Sequence, residues 1–228
     1  MMKISRSLAT RSLGMKKPEG DLRAGALIEI LIVVGTLAAL AALLVPRITL
    51  GRAQASRINC VCQLRELALE ARVWSTEHDK AFTWQVSTND KGSLEPAVAG
   101  CIDRVFVPMS KQRVSPSLLV CPSDKRRKAA LSLQALTREN LSYFVALDAS
   151  EDDAQMILFG DRNISGEGEL PPNRILTVSP GAAAVWGEGL HVRAGNIALT
   201  DGSVQQVSDL GLQKQLGTQT NNVRFALP

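Results

Sequence analysis

The chain has 228 residues, with 26 Lys and Arg against 22 Asp and Glu. That length holds one or two domains, and enough chain follows the N-terminal third to bury a core. Six of the basic and two of the acidic residues lie in positions 1–24, so 20 and 20 remain and the body is neutral. The basic excess therefore belongs to the N-terminus, which argues against a nucleic-acid surface, and no nucleic-acid partner is expected.

Residues 1–24 form a basic leader carrying Lys3, Arg6, Arg11, Lys16, Lys17 and Arg23, and Met1, Met2 and Met15 are all candidate starts. From Gly25 to Pro46 the side chains are apolar except for Glu29 and the small hydroxyl of Thr36. A helix over that run is about 33 Å long, against a bilayer core of about 30 Å. The run exceeds the apolar region of a secretory signal and ends in Val45-Pro46-Arg47 rather than in a small-residue cleavage site. The expectation is a single-pass anchor in the inner membrane, with membrane lipid around residues 25–46. The basic flank orients the N-terminus to the cytoplasm and the C-terminal body to the periplasm. Glu29 costs a few kcal/mol in hydrocarbon, so it either reaches the headgroups or has a function there.

Residues 47–80 continue as helix. Ile58, Val61, Leu64, Ala68, Ala71 and Trp74 recur at three- and four-residue steps, and Arg57, Arg65, Glu66, Glu70 and Arg72 occupy much of the remaining circumference. Pro46 removes one backbone donor and predicts a kink rather than an end. Residues 81–228 read as an α+β body. Breakers crowd positions 81–117, with Val105–Val107 as a short strand. Leu118–Cys121 reads as a second strand stopped by Pro122. Lys125–Leu136 reads as a short basic helix with Asp124 as its cap, its charges a solvated face. LSYFVAL (141–147) and MILF (156–159) read as buried strands around the acidic turn DASEDDAQ (148–155). That turn departs from an EF-hand, with Asp153 at the sixth place and Phe159 at the twelfth. GNIALT (195–200) and SVQQV (203–207) flank Asp201-Gly202, which predicts a hairpin with a type I′ turn. Ser208 caps a final helix over 209–216, and residues 222–227 read as a closing strand.

The chemistry-bearing residues are sparse. His78 and His191 are the two histidines, and no H-E-x-x-H, G-x-S-x-G, Walker A or C-x-x-C pattern occurs. A zinc site would have to recruit cysteines or acids from scattered places. The expectation is therefore a non-enzyme, with no catalytic residue, no metal site and no cofactor. Calcium on the acidic turn is the one ion the sequence leaves open. His191 and Asp201 have bland explanations, as a hydrogen-bonded histidine and a turn residue. The four cysteines face an oxidising compartment in this orientation. Cys60 and Cys62 point to different sides of one helix and do not pair with each other. Cys101 with Cys121 is the preferred bridge, because it would brace the segment poorest in regular structure.

GALIEILIVVGTLAALAALLVP resembles the start of type IV pilins and type II secretion pseudopilins. That resemblance implies cleavage of the leader by a prepilin peptidase, followed by methylation of the new N-terminus. Counting back four residues from Glu29 puts the junction at Ala24/Gly25, and Pro46 then falls where many pilins carry a helix-bending proline. The family has Gly before the cut and Phe or Met after it; cleavage between Gly25 and Ala26 matches the Gly but shifts Glu29 by one. RINCVCQLRELALEARVW resembles the R-x-x-C-x-x-N-L-K-Q-x-x-L-A stretch of planctomycete and verrucomicrobial pseudopilin-like proteins. CPSD, LSYFVALDA, ILFGDRN and GNIALTDGSVQQ resemble their bodies, and His191 with Asp201-Gly202 matches their H-x9-DG pattern. The resemblance offers Cys60 with Cys121 as the alternative bridge. It implies a pilin-like fold: a long N-terminal membrane-spanning helix and a small antiparallel β-sheet body. The implied function is that of a structural subunit of a type II secretion pseudopilus or type IV pilus-like filament. Its partners would be other pilin or pseudopilin subunits, a prepilin peptidase and the inner-membrane secretion platform, with Glu29 setting subunit register. A non-polymerising, envelope-anchored binding protein and an anchored hydrolase using His191 and Asp201 are the other readings.

Overall fold

The computed structural model describes residues 20–228 apart from 167, 168, 192 and 220; the side chains of 20–24, 26 and 44–54 also lie outside the description. The leader, the Ala24/Gly25 and Gly25/Ala26 junctions and the ring of Pro46 therefore fall wholly or partly outside it. The chain divides into two units, Met1–Leu50 and Gly51–Pro228.

Helix α1 runs from Gly20 to Thr76, and its backbone is helical through Pro46. In the first unit Leu27, Ile28, Leu31, Leu37 and Leu43 are exposed. Among the described residues no helix is long and apolar enough to cross a membrane. The sequence run of 25–46 includes positions whose side chains are not described.

In the second unit α1 is amphipathic, and the expected stripe holds at Leu64, Ala68, Ala71 and Trp74 but not at its start. Ile58 is 59% exposed, while Cys60, Leu64, Leu67, Ala68, Ala71 and Trp74 are buried. The steps 60, 64, 67, 71 and 74 follow one face at helical period. A stripe drawn through Ile58 starts on the wrong side by roughly half a turn, because it passes over a cysteine as a core residue.

Among the described residues eight strands follow: β1 (Tyr143–Ala146), β2 (Ile157–Asp161), β3 (Ile164–Ser165), β4 (Ile175–Val178), β5 (Val185–Trp186), β6 (Ala194–Leu199), β7 (Val204–Ser208) and β8 (Val223–Ala226). Six form one sheet in the order β4-β8-β1-β2-β6-β7, and β3 pairs with β5. Every pairing is antiparallel. The fold is thus α+β around a six-stranded antiparallel sheet. The inner strands β1 and β2 are buried at every position, which is why they read as continuous apolar runs. The edge strand β7 carries exposed glutamines on its outer positions.

The middle of the chain departs from expectation. Val105 ends a short helix, α3 (Ile102–Val105), which follows α2 (Leu94–Val98); neither Val105–Val107 nor Leu118–Cys121 is a strand. Pro116–Leu119 is a single 3₁₀ turn, and Lys125–Leu136 is turns rather than helix. Prolines at 108 and 116 favour tight helical turns, since Pro is tolerated at a first helical position but gives no N–H to a ladder. What this region contributes is aromatic mass. Phe82 stacks on Trp84, which meets Phe159 edge-on, and Phe106 lies against Phe159 from another side.

The β6–β7 hairpin forms as expected, with a different turn. Only Gly202 has positive φ, at 86°. Gly202 N–H bonds Leu199 C=O and Leu199 N–H bonds Ser203 C=O, so Thr200-Asp201-Gly202 is a three-residue loop with glycine in the left-handed position rather than a type I′ turn. Ser208 caps α4 (Asp209–Gly217), its hydroxyl accepting from Gly211 N–H.

Candidate metal centre

Register places three polar residues in a row across the sheet. Tyr143 on β1 pairs with Asp161 on β2. Gly160 pairs with Ile197, so one step along the same ladder Asp161 stands opposite Asn196 on β6. All three face Cys60 of α1. Asn196 fixes the Asp161 carboxylate by donating to Oδ2 from its backbone N–H at 2.7 Å and from its side chain at 2.8 Å. The Tyr143 hydroxyl lies 3.5 Å from Cys60 Sγ.

Two loops complete the cluster. Cys121 enters from the turn after Pro116–Leu119, where Asp124 N–H bonds its carbonyl at 2.8 Å. Asp124, three residues on, receives a two-pronged bond from Arg162, at 2.7 Å to Oδ2 and 3.0 Å to Oδ1, and a further bond from Ser142. Strand alternation lets Asp161 face the cluster while Arg162 clamps the loop that carries Cys121. His191 arrives on a loop held by Asn163, whose side-chain amide donates to the carbonyls of Gly187, Leu190 and Ala194. The His191 backbone is left-handed, at φ 54°, and its carbonyl accepts from Arg57. A non-glycine residue keeps that conformation only where its surroundings hold it there.

The result is a closed group of Cys60, Cys121, Asp161 and His191, all buried, with donor atoms within 4.8 Å of one another. His191 Nε2 is 3.4 Å from Cys60 Sγ, 3.5 Å from Cys121 Sγ and 3.5 Å from Asp161 Oδ2. Cys60 Sγ is 3.6 Å from Asp161 Oδ1. All four cysteines are free thiols; Cys121 lies beside Cys60, and Cys101 is outside the group.

The electrostatics follow from burial. The two thiols divide a proton unequally. The hydrogen bond with Cys60 brings Cys121 down to about 5 against the opposing effect of burial, with His191 adding to the fall. The same bond, then burial and Asp161, raise Cys60. Burial pushes Asp161 up to about 7, against the pull of His191 and of the Asn196 hydrogen bonds. His191 is raised: burial opposes its charge, and Cys121 and Asp161 outweigh burial.

A thiol, an imidazole and a carboxylate suggest a nucleophilic triad, and the geometry argues against one. A triad relays through the ring, with the nucleophile on one nitrogen and the carboxylate on the other. Here both sulfurs and the carboxylate converge on the same nitrogen, Nε2. That is how co-ligands around a common centre are arranged. Both sulfurs are also sealed from solvent, with Cys60 0% and Cys121 1% exposed.

The other residues singled out from sequence go elsewhere. Asp201 stays in the hairpin turn, where its side chain accepts from Ser203 N–H and its carbonyl from Arg72. His78 stacks on Trp74 with ring centroids 3.6 Å apart. In the acidic turn, Asp148 bonds Arg224, Glu151 bonds Ser75 and Asp152 bonds Lys80, so these carboxylates diverge to separate partners. The cluster has no local spacing to betray it. Its signal was distributed over four short strings, R-x-x-C, CPSD, GDRN and H-x9-DG, each of which delivers one donor. No family model, curated protein or solved structure matches the chain.

Proposed function

We propose that the chain is a pilin-like structural subunit, held in the inner membrane by its N-terminal helix and assembled into a type II secretion pseudopilus or type IV pilus-like filament. One observation carries the reading. A single 57-residue helix presents exposed apolar side chains over 27–43 and then, from Cys60, contributes one face to the core of an antiparallel sheet body. Such a helix is unfavourable in water over its first part, since a contiguous exposed apolar surface of that extent calls for lipid or for other helices. A subunit that waits in a bilayer and then packs its helix against neighbouring copies satisfies both demands. Glu29 then pairs with the N-terminal amine of a neighbour, which neutralises its charge and sets axial register.

Crosslinking in cells through single cysteines introduced between residues 27 and 43 tests this, with Glu29 retained or replaced by Glu29→Gln. Ladders of crosslinked subunits that collapse in the variant are expected. Monomers in both would overturn assembly and leave a non-polymerising envelope-anchored protein. Mass spectrometry of the mature N-terminus is the companion measurement: a methylated start at Gly25 or Ala26 is expected, and an intact leader would overturn prepilin processing.

A further inference from the structure

We propose that Cys60, Cys121, Asp161 and His191 form a structural zinc site that pins the outer half of α1 to the sheet and to two loops. Four observations carry this, independently of the filament reading.

The first is edge length. Donor atoms around a tetrahedral zinc, at bond lengths of about 2.0–2.3 Å, stand roughly 3.3–3.8 Å from one another. Four of the six separations between donor residues are 3.4, 3.5, 3.5 and 3.6 Å, the two to Asp161 reaching different carboxylate oxygens, and a set of one donor atom per residue lies within 4.8 Å. Hydrogen bonding of the carboxylate to the imidazole would instead draw oxygen and nitrogen to about 2.7–2.9 Å. The carboxylate and imidazole thus stand at the distance of two ligands of one centre rather than of a direct hydrogen bond.

The second is ligand chemistry. Two thiolates and an imidazole suit zinc, and the carboxylate is a permitted fourth ligand. The third is the outer layer. Asn196 orients Asp161 through two donors and also meets Cys60, and Tyr143 meets Cys60 from β1. Such partners fix a ligand's direction before the metal arrives. The fourth is charge. No Lys or Arg side chain is hydrogen-bonded to Asp161, Cys60 or Cys121 among the described residues. A divalent cation would let both thiols and the Asp161 carboxyl ionise together, which burial otherwise opposes.

Every ligand is buried, so the coordination sphere closes with protein atoms alone, and the site serves architecture rather than turnover. A shallow pocket lined by Arg57, His191, Ala194, Gly195, Asn196 and Gln206 offers an approach from the His191 side. On binding, each thiol, the Asp161 carboxyl and the His191 imidazolium release to solvent any ionisable proton they still carry, the imidazole binds neutral through Nε2, and nothing is oxidised.

The test uses the full chain, purified in detergent from cells supplied with zinc chloride and then desalted. About one zinc per chain is expected by elemental mass spectrometry. Exchange with cobalt(II) should give the intense visible bands of a tetrahedral ion and a thiolate charge-transfer band. Cys60→Ser, Cys121→Ser, Asp161→Asn and His191→Gln should each lower retained zinc at least tenfold, whereas Cys62→Ser and Cys101→Ser should leave it unchanged. The cobalt spectrum is read on the native chain, so it decides even where a ligand variant misfolds. A native chain that retains no zinc and gives no cobalt spectrum would overturn the site. So would zinc retained undiminished in the ligand variants, or a Cys60–Cys121 disulfide in the folded protein by non-reducing peptide mapping.

Discussion

Helix α1 contains two regions that obey different rules. Over 27–43 apolar side chains cover its described circumference and are exposed. Over 60–75 one face is apolar and buried, through Cys60, Leu64, Leu67, Ala68, Ala71 and Trp74, while Arg65, Glu66, Leu69 and Val73 stay at the surface. The more hydrophobic region is thus the one this chain leaves uncovered. Pattern, rather than total hydrophobicity, decides what a domain can bury by itself. A stripe matches a sheet face, whereas an all-round apolar helix demands a surrounding. The outer region also buys specificity with polar contacts: Arg72 to Asp201, Ser75 to Glu151 and Cys60 to the Asp161 row.

That contrast can be broken or sharpened by mutation, and the largest effect belongs to the clamp behind it. Asp124→Ala strands Arg162 in a site where its side chain is 15% exposed, and should cost about 3–5 kcal/mol in urea unfolding of the detergent-solubilised chain. The same pair sets a pH response. Burial pushes the Asp124 carboxyl up, but Arg162, Ser142 and the Arg126 N–H outweigh it, and the net position is below the ordinary value. A folded pKa below the unfolded one gives stability that is fully present above about pH 4 and lost as pH falls through the folded value. The native chain should therefore lose more melting temperature than Asp124→Ala between about pH 5 and about pH 3. Equal losses would show that this carboxylate is not the group responsible.

Leu67→Ala, on the buried stripe, should cost about 2–5 kcal/mol by the same denaturation. Gly202→Ala forces a side chain into the left-handed position, with Leu69 Cδ2 3.4 Å from the new Cβ, and should cost about 1–2 kcal/mol. Leu37→Ala, at 60% exposure, should shift body stability by no more than about 0.5 kcal/mol. If Leu37→Ala destabilised the body as much as Leu67→Ala, the distinction between the two regions would fail.

Legibility in the sequence followed the range of the interactions. The β6–β7 hairpin, the Ser208 cap and the runs that became β1 and β2 were readable because alternation, capping and turn chemistry act over a few residues. The segment from Phe82 to Leu136 was misread in detail. Its structure is a chain of single turns fixed by where Phe82, Trp84 and Phe106 are buried, and burial of that kind leaves no period. The type of the Asp201 turn was missed by one residue, since Thr200 joins the loop and only glycine needs positive φ. The cysteine–aspartate–histidine group was invisible to spacing rules, because its members come from a helix, a turn, a strand and a strained loop. Cys60 was passed over within its own helix for a further reason: exposed Ile58 looked like the better core residue.

The strand order carries one more consequence, and it concerns time. β8 is the eighth strand in chain order, yet it lies inside the sheet, between β4 and β1. Until synthesis has passed Ala226, the strand ladder cannot be completed and Phe144 lacks Phe225 as a neighbour. Cys60, made some 130 residues before His191, must wait with its thiol uncovered. Long-range pairing of this kind is slow relative to local helix formation. A chain with this topology therefore passes through an interval in which its helix is made and its body is not, and what shields the early cysteine then is a matter for the cell rather than for the fold.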